Sequence, residues 1–216
     1  MRTLSELIDE IDSAWPLVQQ WIAEASVSVE VLPLGDLKAR EEALLGAQVT
    51  TRSPMGAIAF NTAGIFIDSG WLRVLGAGLH PRFRRSLPSW NQDRSDGYYL
   101  VADDVLGGYF AINGGALGDD PGQVYYYAPD SLSWEPCGLS YSQFIVWAMS
   151  GKLDEFYTDF RWQDWETEVK ELTGDQVLSV YPFLWAEGLS LGERDRRPVD
   201  VAEYYSLQAE IQRQPS

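Results

Sequence analysis

The chain has 216 residues, 32 of them acidic and 16 basic, for a net charge of −16 at neutral pH. A field of that sign repels phosphate backbones, which argues against a nucleic-acid partner and would suit a basic protein. No apolar run is long enough to span a bilayer, and the single cysteine, Cys137, excludes an internal disulfide and a cysteine-rich metal site. The amino terminus turns acidic at once, so we expect no secretory signal and a reducing, cytoplasmic location. The length fits one domain over residues 1–216, with helical elaborations at both ends. Nine Trp and eleven Tyr raise the aromatic share to 13%, a density that anchors cores or flat recognition surfaces.

Thr3 and Glu6 have the spacing of a capping box, followed by Leu4, Leu7, Ile8 and Ile11 on one helical face. Pro16 suits the first turn of a second helix carrying Val18, Trp21, Ile22 and Ala25. A short strand (Val29, Val31) leads to a helix capped by Asp36, bearing Leu37, Leu44 and Leu45 and ended by Gly46. From about residue 56 the period becomes strand-like, and Ala57–Phe60 and Ile65–Ile67 flank a hairpin turn at residues 61–64. Trp71–Leu75 reads as the next strand. A polar connection over residues 76–96 precedes a meander of Tyr98–Ala102, Gly108–Ile112 and Gln123–Tyr127, whose turns are rich in Gly and Asp.

A further strand around Leu132–Glu135 leads to Ser140 and Gln143, a second capping box opening a helix with Phe144, Ile145, Trp147 and Ala148. Trp162, Trp165, Val169 and Leu172 recur at helical spacing, and Pro182 limits the apolar segment around Val177–Leu184 to an edge strand or an irregular piece. The last helix is expected to start at Asp200 with Glu203 as capping partner. Helices, then antiparallel strands, then helices make an α+β pattern.

The order Gly107–Asn113, Gly122–Tyr127, Asp130, Trp134 and then Ser140–Trp147 resembles the SUKH superfamily. In that family a Gly-aromatic strand precedes a Gly-x-Val-Tyr strand, an acidic turn, a strand with Trp and a Ser-aromatic helix. The match spans residues 98–150, and the full sequence also resembles a bacterial family of unknown function. The resemblance implies an α+β fold with a strongly curved antiparallel meander sheet and flanking helices. It further implies a protein-interaction module, such as an immunity protein that neutralises a toxin or a regulatory protein. It carries no catalytic, cofactor or partner residues over to this chain.

Tyr125-Tyr126-Tyr127 in a strand points two rings to one face and one to the other, so at least one should be core and one could reach solvent. The densest local anomaly is residues 79–91, which hold the only histidine, His80, with Arg82, Arg84, Arg85, Trp90 and Asn91. Arginine forks suit carboxylates and phosphates, and Trp90 could stack beside them, which would make an anion pocket on a loop. The competing reading ties these arginines to the chain's own carboxylates, and the acidic excess favours it. No Gly-x-Ser-x-Gly elbow, dinucleotide fingerprint or calcium loop is present, and Cys137 has no basic neighbour to activate it. Asp103 and Asp104 are adjacent on one strand and so cannot share a substrate.

The sequence is thus read as a non-enzymatic interaction module without cofactor or metal, partnered by a toxin or another basic protein. The alternatives are an anionic-ligand binder or cryptic enzyme using the 79–91 loop, and a homodimer meeting through exposed aromatics.

Overall fold

The computed structural model describes residues 1–94 and 96–213. Seven strands form one antiparallel sheet in strictly sequential order: β1 (Val29–Leu32), β2 (Gly64–Ile67), β3 (Leu72–Leu75), β4 (Tyr98–Asp104), β5 (Tyr109–Asn113), β6 (Gln123–Ala128) and β7 (Ser133–Ser140). A separate two-stranded ribbon pairs β8 (Gln176–Tyr181) with β9 (Asp195–Asp200). Together with the helices this is the α+β architecture expected. β7 lies at the sheet's edge and carries Pro136, beside a register shift opposite Val124 and Tyr125.

The helices sort onto the two faces of the sheet. On one face, α6 (Tyr141–Met149) and α7 (Leu153–Phe156) bring Phe144 and Phe156 onto the strand residues Phe110 and Tyr126, at ring separations of 4.7 and 5.1 Å. On the other, α5 (Leu87–Asn91) and α9 (Val201–Arg213) bring Trp90 and Tyr205 onto Tyr109, at 6.5 and 4.9 Å. All three of Tyr125, Tyr126 and Tyr127 are buried, at 6%, 4% and 5% exposure, so none reaches solvent freely.

Several elements depart from the sequence reading for identifiable reasons. The helix at Thr3–Glu6, α1 (Leu4–Leu7), stops after one turn, because the Asp9 carboxylate accepts from the amides of Ile11 and Asp12 and turns the chain. Ile11 is consequently 94% exposed rather than part of an apolar face. The helix capped by Asp36, α3 (Leu37–Ala47), runs past Gly46 and ends at Gln48, which adopts φ 54°. Gly46 instead makes room for α5, since a Cβ there would stand 2.6 Å from the Pro88 Cβ.

The segment read as a strand at Ala57–Phe60 is α4 (Pro54–Asn61), capped by Ser53 Oγ on the Gly56 amide at 3.1 Å. Gly56, Ala57, Ile58 and Ala59 are all buried, because α4 packs against α3, α6 and α2 (Trp15–Ala23). A helix enclosed on several sides shows no amphipathic stripe. The last helix starts as expected, with Asp200 Oδ1 accepting from the amides of Ala202 and Glu203 at 2.8 and 3.2 Å.

One buried aspartate closes the β4–β5 turn. Asp104 accepts from the Leu106 and Gly108 amides at 2.8 and 2.9 Å, and from the Tyr126 and Tyr157 hydroxyls at 2.7 and 2.9 Å. Its burial pushes the carboxyl upward, and these four donors pull it back. Arg161 ties α8 (Trp165–Lys170) to the β2–β3 turn, pairing with Asp68 and lying 4.8 Å from the Trp71 ring and 4.1 Å from that of Trp165.

Candidate recognition cleft

The register of the sheet lines up one residue per strand across all seven strands. Glu30, Phe66, Arg73, Asp103, Tyr109, Tyr127 and Trp134 are successive direct partners. Directly opposed residues project to the same side, so these seven form one continuous row on the α5–α9 face.

The first part of the row is closed by the 79–91 loop. Arg82 donates to Glu30 Oε1 at 2.7 Å and lies 5.2 Å above the Phe66 ring. Arg73 donates from Nε to Asp103 Oδ1 at 2.7 Å, and from its other nitrogens to the carbonyls of Gln176 and Asp104 at 2.7 and 2.8 Å. Arg85 pairs with the other oxygen of Asp103, donates to the Gly174 carbonyl at 2.6 Å and covers the Trp90 ring at 4.5 Å. Two guanidinium groups thus share one carboxylate that is fully buried.

The remaining residues of that loop are placed as follows. His80 and Phe83 bridge each other through their backbones, and His80 Nδ1 accepts from the Arg82 amide at 3.2 Å. Trp90 is 2% exposed beneath Arg85 and Arg94. The Asn91 side chain bonds the Leu87 carbonyl and both backbone groups of Leu100, holding α5 to β4. Arg84 faces outward on a shallow depression of about 380 Å³ that also holds Glu42 and Ser86. The six loop residues therefore do not converge on one cleft.

The other end of the row is open. Tyr109, Tyr127 and Trp134, with Tyr98 beside them, line a cleft of about 700 Å³ between the sheet, α9 and the segment after α5. The Trp134 ring packs against Tyr98 at 5.1 Å and Tyr127 at 5.3 Å. The Tyr98 and Tyr205 hydroxyls lie 2.9 Å apart, and each can donate to the Arg94 carbonyl, at 3.3 and 3.2 Å. Gln208 reaches in from α9 and donates from Nε2 to the Gly107 carbonyl at 3.0 Å.

Burial, and then the Asp103 carboxylate, pushes the Tyr109 hydroxyl far above its ordinary range. Burial and the neighbouring Tyr98 push Tyr127 up to about 12. Both stay protonated at neutral pH, and their hydroxyls are buried. Among the described residues no three His, Cys, Asp or Glu side chains gather as a metal site requires. No described helix is long and apolar enough to cross a membrane.

Sequence reasoning assigned most of these rings to the core, where Tyr109 and Tyr127 are indeed buried, and looked for a site one loop earlier. The signal that identifies them is one aromatic at the same cross-strand position on β5, β6 and β7, and it becomes visible only once the register is known.

Two relatives align along nearly the whole chain. One is the uncharacterised protein YbfG of Escherichia coli (strain K12), 43% identical over 214 residues that cover 98% of this chain and 97% of that one. The other is an uncharacterised protein of Haemophilus influenzae, 38% identical over 213 residues covering 95% and 92%. The profile of the protein family of unknown function DUF2625 matches residues 4–204, and the chain belongs to that family.

Proposed function

We propose that the protein is a non-enzymatic protein-interaction module whose recognition face is the aromatic cleft between β4–β7 and α9. The observation that carries this reading is the cleft's lining by the partly exposed rings of Tyr98, Trp134 and Tyr205, backed by the buried Tyr109 and Tyr127. Tyrosine and tryptophan supply large contact areas with few rotatable bonds and a polar tip, and for that reason they dominate recognition surfaces. The SUKH resemblance of residues 98–150 falls on the strands that build this floor, and the toxin-immunity form of the proposal rests on that resemblance.

A photoreactive residue placed at the exposed rim position Ser206, in the native host, tests it. A cross-link to one protein, lost when Tyr205 is changed to Ala, together with at least a roughly tenfold weaker affinity of that purified partner for Tyr205→Ala, supports the proposal. Cross-linking that ignores Tyr205→Ala, or none at all, overturns it. An anionic ligand on the 79–91 loop is the second reading, and Arg84 is the residue that favours it, as the exposed arginine of that loop beside its shallow depression. Loss of anion-dependent thermal stabilisation in Arg84→Ala would support it.

A further inference from the structure

The helix α9 is firmly fastened at its start and poorly matched beyond it. The Val201 amide donates to the Asp175 carbonyl at 3.0 Å, Asp200 caps the first turn, and Val201 is buried. Past that turn, Tyr204, Tyr205 and Gln208 carry the contact with the seven-stranded sheet and its β4–β5 turn. Four polar atoms in this contact have no hydrogen-bond partner among the described residues: Tyr204 Oη and Gln208 Oε1 on the helix, Tyr109 Oη on β5 and Tyr127 Oη on β6. All four residues are buried. The Tyr109 ring lies 4.9 Å from that of Tyr205. Burial, then Asp104 and Tyr127, push the Tyr204 hydroxyl up to about 12, which places the Tyr127 hydroxyl beside the helix. On the opposite face of the sheet the Tyr126 and Tyr157 hydroxyls both donate to Asp104.

Buried polar groups are normally paired, and each one left unpaired is destabilising relative to its hydrated form. We propose that α9 is a displaceable cover, which from Tyr204 onward lifts off β5 and β6 far more readily than the sheet unfolds. This goes beyond the recognition reading and stands without it. Lifting rehydrates the four unpaired atoms together. It gives up the Gln208 bond to the Gly107 carbonyl, the Tyr205 hydroxyl bonds, and the Tyr205 ring contacts with Trp90 and Tyr109. A detached helix of 13 residues is marginal in water, so α9 unwinds as it lifts and its amides become exchangeable. The opened floor is Trp90, Tyr109 and Tyr127. Any binder of that floor would meet only the open fraction, and its affinity would be lowered by that fraction.

Native-state hydrogen exchange on the full chain tests this, with the amides of β4–β6 as internal reference. Residues 208–213 are expected to exchange through one common opening, with protection at least roughly a hundredfold below that of the strands. Tyr109→Phe, Tyr127→Phe and Tyr204→Phe each delete one unpaired hydroxyl and keep the ring. Each should raise α9 protection roughly twofold, and the triple variant roughly five- to tenfold. Tyr205→Phe deletes a paired hydroxyl, so it should lower α9 protection by roughly two- to tenfold.

Protection of residues 208–213 equal to that of β4–β6 would mean that α9 opens only with the sheet. Protection that declines residue by residue toward Arg213, and ignores the triple variant, is end fraying. Lower protection in the triple variant would show those hydroxyls to be holding the helix down. Each of these three results overturns the proposal.

Discussion

The two ends of the cross-strand row use the same geometry for opposite purposes. Around β3 and β4, Asp103 is surrounded by Arg73 and Arg85, and those arginines are further held by the carbonyls of Gln176, Asp104 and Gly174. Around β5 to β7, Tyr109, Tyr127 and Trp134 lie beside an open cleft. Both ends lie on the same face, one strand spacing apart. A sheet can therefore carry a sealed end and an open one on a single surface, and what separates them is the cover: the 79–91 loop and β8 on one side, α9 and the segment after α5 on the other. The sealed end ties strands, loop and ribbon together, and the other end leaves an aromatic-lined cleft at the surface.

Mutations at the two ends should separate this cleanly. The largest effect is expected for Asp103→Ala, which leaves two buried guanidinium groups without their shared anion and should destabilise by about 3–5 kcal/mol in denaturant unfolding. A loss below about 1 kcal/mol would mean that the sealed end is not a structural lock. Trp134→Ala comes next. It removes two ring contacts on an edge strand, and a loss of about 1–2 kcal/mol is expected, with the fold kept as read by circular dichroism. Smallest is Tyr127→Phe, within about 0.5 kcal/mol of wild type, because the hydroxyl it deletes has no hydrogen-bond partner among the described residues. A clear destabilisation there would show the open end to be sealed by water and would erase the contrast.

Much of the fold was legible because local chemistry and tertiary packing agree. The capping residues Thr3, Asp36, Ser140 and Asp200 mark true helix starts, and the Gly and Asp turns of the meander fall between true strands. Reading failed where packing removes the pattern. The α4 segment is buried broadly enough to hide its period, although Ser53 and Pro54 were signals of a helix start. Ile11 belongs to a helical pattern that the Asp9 side chain interrupts. The cleft was not legible at all, since Tyr98, Tyr109, Tyr127, Trp134 and Tyr205 meet only through strand register and the docking of the last helix. Charge drew attention to residues 79–91, where the arginines Arg82 and Arg85 are engaged with Glu30 and Asp103.

Pro136 on β7 bears on how a partner could approach. An outermost strand normally offers a ladder of unpaired amides and carbonyls on which a foreign strand can grow. Proline removes one of those amides, and the register shift nearby breaks the regular spacing of the rest. At the opposite margin β1 is only four residues long. Both margins are thus poor templates for strand addition. A neighbouring molecule would therefore meet side chains on the face rather than a backbone ladder at the margins, and side chains, unlike a ladder, depend on sequence.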